Sequence, residues 1–370
     1  MSYPSVLVIQ RILPPYRLRF FQRLSASDRL SIRVAHGLST GASALKSLEN
    51  PSGVAIERLR NIFPFKEDRV VIQRNLFPLL WRGNFEVIIA EFNPRIVTNL
   101  VACLMVKLRG RKFIWWGHGA SPKSGWLSMH LRLFFARMAD AMIFYDERGA
   151  ARFIEQGVQS EKVFVATNSI DTEEIVQLVE RRPLSERHCL LFIGRLLAGK
   201  KVDILIRAFA RARGKLRPNT QLTIIGSGPD LNRLTRLVAE LNLTEEVQFV
   251  PAIYEQSQLA PYFNAAWISV SPGWIGLSAI HSLAYGVPML VARDEPHRPE
   301  VNALEENVNS IFFNSDDIED LARHLLWLDS SAERHAQMSD AGFNKIHKQF
   351  SLQAMVDAFE RAVSYTQGGR

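Results

Sequence analysis

Cysteine is scarce in this sequence, with only Cys103 and Cys189 among 370 residues. Each of them falls within an apolar run, so the pattern argues against a disulfide framework and against a zinc site. Isolated thiols of this kind fit the reducing environment of the cytosol. The sequence therefore predicts a cytoplasmic protein.

Long hydrophobic runs are also lacking, and no targeting segment is expected in the first residues. Prolines and Arg11 interrupt the first 19 residues, which predicts that this stretch is not a signal peptide. No apolar run approaches the ~20 residues that span a bilayer. The longest run, residues 96–106, contains Thr98 and Asn99 and is predicted to form a buried helix. Any contact with a membrane is therefore expected to be peripheral.

Charge is distributed unevenly along the chain. Residues 1–170 contain 24 Lys+Arg and 12 Asp+Glu, whereas residues 171–370 contain 21 and 25, so the two halves carry net charges of +12 and −4. This difference indicates two domains with different partners. The basic half is either an ordinary solvated surface or a face for anionic lipid headgroups or an anionic substrate, and both interpretations remain open at this stage. No nucleic-acid partner is expected, because the basic residues are scattered and match no known nucleic-acid-binding motif.

Short apolar runs alternate with amphipathic stretches in both halves of the sequence. This alternation is typical of α/β domains in which helices cover both faces of a parallel sheet. Ligands of such sheets bind at the carboxyl ends of the strands. The charged residues 181–187 include a proline and are predicted to link the two domains. The predicted strands are residues 5–10, 30–36, 86–90, 112–116, 141–144 and 163–165 in the first half, and 189–193, 221–225, 247–250, 266–270 and 289–292 in the second.

Polar residues follow two of the predicted strands in the first half. Arg11, Tyr16 and Arg17 come after the first strand and are candidates for binding a substrate. His118 lies between two glycines after the strand 112–116, a position that favours a functional histidine over a packed one. Residues 126–138 form a bulky apolar helix with a basic edge, for which a place in the core is favoured over a place on a membrane surface.

The second half contains a strand–turn–helix at residues 266–286 that is suited to an anion. Gly273 and Gly276 permit a tight turn, and the amides of Gly276, Leu277 and Ser278 would face a phosphate. His281 lies on the same helix face and could reach a sugar hydroxyl. The alternative is an ordinary β–α turn with a packed histidine, and a single glycine-containing turn does not decide between the two.

A second anion-binding pattern follows the strand 189–193. Arg195 and Lys200 lie five residues apart and bracket a glycine-containing turn, an arrangement that suits a diphosphate. The guanidinium can bind two oxygens at once, and the ammonium supplies a compact charge.

Taken in order, the motifs of the second half resemble those of the family 4 glycosyltransferases, which have the two-domain GT-B fold. Arg195 and Lys200 stand where that family has its diphosphate-binding arginine and lysine, and His118 stands where it has a histidine near the donor sugar. The similar segments are residues 192–209 (donor-phosphate segment), 225–229 (Gly-x-Gly-Pro turn), 275–288 (nucleotide-sugar helix), 299–300 (Pro-Glu pair) and 168–171 (the end of the first domain).

The chain departs from the family pattern at three places. Many members carry two glutamates eight residues apart on the central helix, where this chain has Gly273 and His281. A histidine can still bind a ribose hydroxyl, but the loss of the first carboxylate puts the identity of the donor in question. The glycine-rich loop after the first strand is replaced by residues 13–17. The helix sequence 276–282 is similar to that of a bacterial polysaccharide-type branch of the family.

The resemblance implies an α/β GT-B protein with two Rossmann-like domains that face each other across a cleft. Residues 1–170 would bind the acceptor, with Arg11, Tyr16 and Arg17 on the acceptor side, and residues 171–350 would bind the donor. The C-terminal helix 351–370 would pack back on the first domain. The implied catalytic residues are His118, Arg195, Lys200 and Glu300, and the implied donor-binding residues are Gly194, Arg195, Lys200, Gly226, Gly276, Leu277, Ser278 and His281.

The implied activity is that of a retaining, hexosyltransferase-type enzyme. It would move a sugar from a UDP or GDP donor to a saccharide acceptor, expected to be lipid-linked, in the synthesis of a surface polysaccharide at the inner face of the cytoplasmic membrane. No cofactor and no metal are expected, because two cations would stabilise the leaving diphosphate and His118 and His281 do not form a ligand set. Two alternatives remain, a nucleotide-sugar epimerase of the same fold and an inactive nucleotide-sugar binding module.

Overall fold

The computed structural model describes residues 3–39, 47–65, 69–118 and 126–368, without the side chains of residues 126–128. Gly119, the second of the two glycines that flank His118 in the sequence, lies outside these ranges. The chain divides into two compact units, the first formed by residues 1–168 with 352–370 and the second by residues 169–351. The predicted linker is wrong, because residues 181–187 lie inside the second unit. Arg187 is buried there and donates a hydrogen bond to the carbonyl oxygen of Ala266.

The first unit is built around a parallel β-sheet with helices on both faces. Its strands are β1 (Ser5–Ile12), β2 (Ser31–Gly37), β3 (Ile56–Arg58), β4 (Arg60–Ile62), β5 (Ile72–Arg74), β6 (Val87–Glu91), β7 (Lys112–Gly117), β8 (Ala141–Phe144) and β9 (Val163–Val165). Its helices up to residue 168 are α1 (Leu18–Ser25), α2 (Leu76–Arg82), α3 (Val97–Leu108), α4 (Trp126–Met138) and α5 (Glu147–Glu155).

The sheet of the first unit has the strand order β3-β2-β1-β6-β7-β8-β9, and β4 pairs with β5 in a separate antiparallel ribbon. Successive side chains of each strand point to opposite faces, so the apolar runs fill two layers. Val8 and Ile89 pack in the layer that contains α1. Ile9 and Ile88 pack in the layer that contains residues of α2 to α5.

The second unit has a parallel sheet of its own, with the order β12-β11-β10-β13-β14-β15. These strands are β10 (Cys189–Ile193), β11 (Gln221–Ile225), β12 (Val247–Val250), β13 (Ala266–Ser271), β14 (Met289–Ala292) and β15 (Ser310–Phe313). Its helices are α6 (Thr172–Leu178), α7 (Val202–Ala212), α8 (Leu231–Glu240), α9 (Gln256–Ala265), α10 (Ser278–Ala284), α11 (Ile318–Asp329) and α12 (Ala332–Gln349).

The last helix, α13 (Leu352–Thr366), belongs to the first unit. The ring of Phe359 lies 4.9 Å from that of Phe20 on α1 and 4.8 Å from that of Trp116 on β7. This packing explains why the final stretch of the chain folds with residues that precede it by more than 200 positions. The two Rossmann-like α/β units confirm the predicted fold class.

The predicted buried helix at residues 96–106 is buried on one face only. It forms most of α3, whose inner face includes Thr98, Asn99 and Val106. Its outer face is apolar as well and is exposed, which the sequence did not predict. No helix within the described ranges is long and apolar enough to cross a bilayer.

Candidate functional site

The strand order of the second sheet reverses direction between β10 and β13. The chain moves from β10 outward to β11 and β12, and then returns to the other side of β10 to form β13. The two loops that follow β10 and β13 therefore leave the sheet side by side. Parallel sheets bind ligands at this type of position. One loop carries Arg195 and Lys200, and the other carries residues 272–277.

Three cations surround the indole of Trp274 in this region. The Nζ atom of Lys200 lies 3.3 Å from the ring centroid and donates a hydrogen bond of 2.5 Å to the carbonyl oxygen of Trp274. The guanidinium carbons of Arg195 and Arg298 lie 5.7 and 5.4 Å from the same centroid. The face of an aromatic ring attracts cations, so Trp274 can hold like charges close together. The sequence pattern indicated neither Trp274 nor Arg298 as part of the site.

The ammonium group of Lys200 is strongly perturbed by its surroundings. Its residue is buried, and burial lowers the pKa of Lys200 to about 7, with further lowering by the charges of Arg195 and Arg298. The buried carboxyl group of Glu300 acts in the opposite direction. Because the three cations repel one another, an anion placed among them would be stabilised.

Glycines allow the backbones of neighbouring loops to touch. A Cβ atom at Gly226 would lie 1.9 Å from the carbonyl oxygen of Gly194, and one at Gly273 would lie 2.2 Å from that of Gly199. Both distances are far below van der Waals contact. The space at Gly194 is less restricted than at these two glycines, since a Cβ atom there would lie 3.3 Å from the ring of Phe192. Gly226 thus supports the loop of Arg195 by close packing, and Gly273 supports the loop of Lys200.

The family resemblance leads one to expect a glutamate at residue 273. The close packing of Gly273 predicts what happens when that carboxylate is introduced. We expect Gly273→Glu, and also Gly273→Ala, to lower the melting temperature and to abolish stabilisation by nucleotides, because either side chain would push the loop of Lys200 away. Gly214→Ala is the matched control, since a Cβ there meets nothing within 4 Å. Differential scanning fluorimetry measures both effects. A Gly273→Glu variant that melts like the wild type would contradict the prediction.

His297 holds the turn that precedes α10. The amide of Ile275 donates to its Nδ1 atom at 3.2 Å, and its Nε2 atom donates to the carbonyl oxygen of Ala292 at 2.8 Å. Burial lowers the pKa of His297, which keeps the ring neutral as these two bonds require. The amide of the next residue, Arg298, donates to the carbonyl oxygen of Ile275 at 3.0 Å. His297 therefore positions both Trp274 and Arg298, a role that the sequence pattern did not reveal.

Helix α10 begins at Ser278, two residues later than the sequence suggested, and has seven residues. The amides of Gly276, Leu277 and Ser278 have no acceptor among the residues that the structure describes. A Cβ at Gly276 would meet nothing within 4 Å, so the backbone at this turn is accessible. The amides rather than a helix dipole are therefore the groups that this turn could offer to an anion.

His281 is held by protein groups at both ring nitrogens. Its Nδ1 atom lies 3.2 Å from the carbonyl oxygen of Leu277, and its Nε2 atom lies 3.0 Å from Nε2 of Gln256. Burial lowers its pKa to about 4, so Nδ1 donates and Nε2 accepts. The ring is also parallel to that of Phe263. This arrangement is the packed histidine that the sequence left open, and binding of a ribose hydroxyl would require Gln256 to move away.

In the first unit, Arg17 is fixed at the carboxyl ends of three strands. Its guanidinium donates to Oε1 of Gln10 at 3.0 Å and to the hydroxyl of Tyr145, and it lies 4.3 Å from the centroid of Trp116. Arg17 therefore joins β1, β7 and the residue after β8. Tyr16 lies beside it, with its ring centroid 5.8 Å from the same guanidinium.

Arg11 lies near the end of β1 and His118 follows the end of β7, with β6 between these two strands in the sheet. The backbone amide of Arg11 donates to the carboxylate of Glu91 at 3.4 Å. His118 is exposed, and its ring lies 4.3 Å from that of Tyr145. Tyr145 thus links His118 to Arg17, although nothing in the sequence marked it beyond its place after a strand. No group of three or more His, Cys, Asp or Glu side chains suited to a metal occurs in the described parts of the chain.

Comparison with known proteins shows the fold of this chain and the family that its second unit resembles. HepE from Anabaena, whose crystal structure contains UDP, covers 98% of this chain and 99% of its own with a TM-score of 0.71 at 15% identity. A likeness at this identity establishes the fold, which is GT-B. Residues 177–345 match the family model of the glycosyl transferases group 1. The second unit is therefore similar to the glycosyltransferase family that its motifs resemble.

Curated relatives match only part of their length. A D-inositol 3-phosphate glycosyltransferase from Streptosporangium roseum is 33% identical over 151 residues, which are 38% of this chain and 34% of the relative. The alpha-monoglucosyldiacylglycerol synthase of Acholeplasma laidlawii is 23% identical over 201 residues, which are 53% of this chain and 48% of the relative. This chain thus spans less than half the length of either relative.

Proposed function

We propose that this protein is a retaining glycosyltransferase. It moves a sugar from a nucleoside diphosphate donor, UDP- or GDP-linked, to a hydroxyl group of a saccharide. The acceptor is lipid-linked, and the reaction serves surface polysaccharide synthesis at the inner face of the cytoplasmic membrane. The observation that carries the proposal is the group of three cations around Trp274 at the switch point of the second sheet.

The charge of this group matches a diphosphate. Arg195, Lys200 and Arg298 contribute three positive charges when Lys200 is protonated, and Glu300 contributes one negative charge. The remaining excess of two positive charges equals the charge of a sugar nucleotide, whose two phosphates each carry one negative charge. An adenine, uracil or guanine base alone would leave this excess unbalanced. The ligand class is therefore set by the phosphates rather than by the base.

In the proposed reaction, the bond between the anomeric carbon of the donor sugar and the phosphate oxygen breaks, and a bond to the acceptor hydroxyl forms on the same face. The acceptor proton passes to the leaving phosphate, and the nucleoside diphosphate departs. Arg195, Lys200, Arg298 and the amides of residues 276–278 stabilise the charge that grows on the leaving group. One preorganised donor of this kind contributes about 3 kcal/mol. With these groups in place, the reaction needs no metal.

The remaining residues have supporting roles in the proposal. His118 holds the donor sugar, and Glu300 binds hydroxyl groups of the donor sugar or the acceptor side. Arg11 and Tyr16 line the acceptor side. Arg17 shapes that side, because its guanidinium is already bound by Gln10 and Tyr145.

Thermal stabilisation by a panel of nucleoside diphosphates and their sugars tests the donor site. A ligand at a hundred times its dissociation constant adds about 2.7 kcal/mol to the free energy of unfolding. We expect one base to give a selective rise in melting temperature that is lost in Arg298→Ala and kept in Arg236→Ala. Arg236 is the control because it lies on α8 and, among the residues that the structure describes, donates its hydrogen bond to the carbonyl oxygen of Asn232 in its own helix. Absence of any shift across the panel would refute the donor site.

An acceptor assay separates transfer from the two alternatives that the sequence left open. Release of nucleoside diphosphate that depends on an added saccharide is expected for a transferase. Conversion of the donor to an epimeric nucleotide sugar without an added saccharide would indicate the epimerase, and binding with neither release nor conversion would indicate an inactive module.

A further inference from the structure

Helix α3 in the first unit presents an apolar face to solvent. Val97, Val101, Leu104 and Leu108 are 40%, 44%, 38% and 88% exposed. At 100° per residue these four positions fall within about 60° of one another, so they form a single stripe along the helix. The opposite face packs in the core through residues such as Ala102 and Val106. A helix that is apolar on both faces is normally covered on both.

The exposed stripe is extended by an aromatic residue of the neighbouring helix. Trp81, on α2, is 64% exposed. Arg109 follows α3 directly, stacks on the indole of Trp81 at 4.2 Å and donates to its carbonyl oxygen at 3.3 Å. This contact brings the ends of α2 and α3 together. The stripe, Trp81 and Arg109 thus form one continuous surface, called here the α3 surface.

Positive charge surrounds the α3 surface. The segment 76–111, from α2 to the residue before β7, contains five Lys+Arg and two Asp+Glu. Arg82, Arg95 and Arg109 are exposed. Of the remaining basic residues, Lys107 is paired with Asp140 and Arg111 donates to backbone carbonyls, so neither adds much to the outward charge.

We propose that the α3 surface binds the face of an anionic lipid bilayer. The stripe would enter the boundary between headgroups and acyl chains, with the helix lying flat in the membrane plane. Trp81 would sit at headgroup level, where tryptophan is enriched, and the exposed arginines would pair with anionic headgroups. This inference does not depend on the transferase assignment, although it would bring such an enzyme to a lipid-linked acceptor.

The size of the surface argues for a membrane rather than a second protein. The stripe runs about 17 Å along a helix about 10 Å wide, so its area is on the order of 200 Å². A stable interface between two proteins buries roughly 800 Å² on each side. A bilayer does not require a complementary protein surface. Electrostatic attraction to anionic lipids adds to the contribution of a small buried apolar area.

Co-sedimentation with lipid vesicles tests the proposal. The probes are vesicles of phosphatidylcholine alone and of phosphatidylcholine mixed equally with phosphatidylglycerol. We expect the wild type to bind the mixed vesicles selectively at low salt, and the double variant Leu104→Gln, Leu108→Gln to bind them at least tenfold more weakly. The matched control is Tyr254→Gln, Val308→Gln, which changes two exposed apolar residues of the second unit, 67% and 46% exposed. Its binding should equal that of the wild type.

Three outcomes would overturn the proposal. One is a wild type that sediments with neither vesicle, and another is a double variant that binds as the wild type does. The third is a dimeric wild type and a monomeric double variant in light scattering, which would assign the surface to a second copy of the chain. An unchanged melting transition of the double variant checks that it is folded. In the wild type, a nucleotide-induced melting shift without vesicle binding would refute the α3 surface and leave the proposed donor site intact, because that shift belongs to the second unit.

Discussion

Replacing Arg195 with alanine is expected to reduce kcat/KM for sugar transfer by a factor of about 100 to 1000. The guanidinium can bind two oxygens of the leaving diphosphate, and it acts from a loop that is fixed by backbone packing against Gly226. Its removal should leave the fold intact, because Arg195 lies after the end of β10 rather than in the core. The measurement is the initial rate of nucleotide release in the presence of acceptor.

Two further variants serve as controls for the Arg195→Ala measurement. Arg195→Lys keeps the charge but loses the forked geometry, so an intermediate rate is expected. Arg236→Ala removes a guanidinium from α8 and should turn over like the wild type. Wild-type activity in Arg195→Ala, with an unchanged melting temperature, would rule out the proposed role of this residue.

Affinity for the sugar nucleotide is expected to fall as pH rises above 7, by up to tenfold per pH unit. Burial, Arg195 and Arg298 lower the pKa of Lys200 to about 7 in the free protein. A bound diphosphate favours the charged ammonium and raises this pKa. Below pH 7 the lysine is already protonated, so affinity is constant. Above pH 7 binding must take up a proton, and each further pH unit makes this uptake less favourable by about 1.4 kcal/mol.

Isothermal titration calorimetry in buffers of different ionisation enthalpy measures both the affinity and the proton uptake. The groups that act on the Lys200 ammonium are Arg195, Arg298 and Glu300, and His297 is also coupled to it. His297 does not titrate in this range, because its pKa is lowered from 6.5. The control Lys200→Arg remains charged and should show a flat profile. An equal slope in wild type and Lys200→Arg would show that another group is responsible.

The sequence predicted the elements of the fold because their signals are local. The strand of residues 189–193 was predicted from a continuous apolar run, and it is β10 in the structure. Arg195 and Lys200 were also predictable as a pair, since both belong to the loop after one strand. The family resemblance added the expectation that the loop after β13 joins them. The strand order then supplies the physical reason, because β10 and β13 are neighbours.

The rest of the site depends on contacts between residues that are distant in sequence. Arg298 reaches Trp274 because His297 ties the loop after β14 to Ile275, and no periodicity encodes that bond. Similarly, His281 is engaged by Gln256 from the start of α9. The sequence could suggest that a histidine lies on a helix face, but it could not show which side chain occupies its free nitrogen.

The packing of Gly273 on Gly199 also bears on how this donor site could change over time. The backbone of Gly199 leaves no volume for a side chain at Gly273, where a Cβ would lie 2.2 Å from its carbonyl oxygen. A single substitution that introduces a glutamate at residue 273 would disturb the lysine loop before the new carboxylate could act. The geometry of the lysine loop must therefore change before this chain can acquire the two-glutamate pattern. Transplanting that pattern into this chain would require residues 198–201 and 272–276 to be exchanged together.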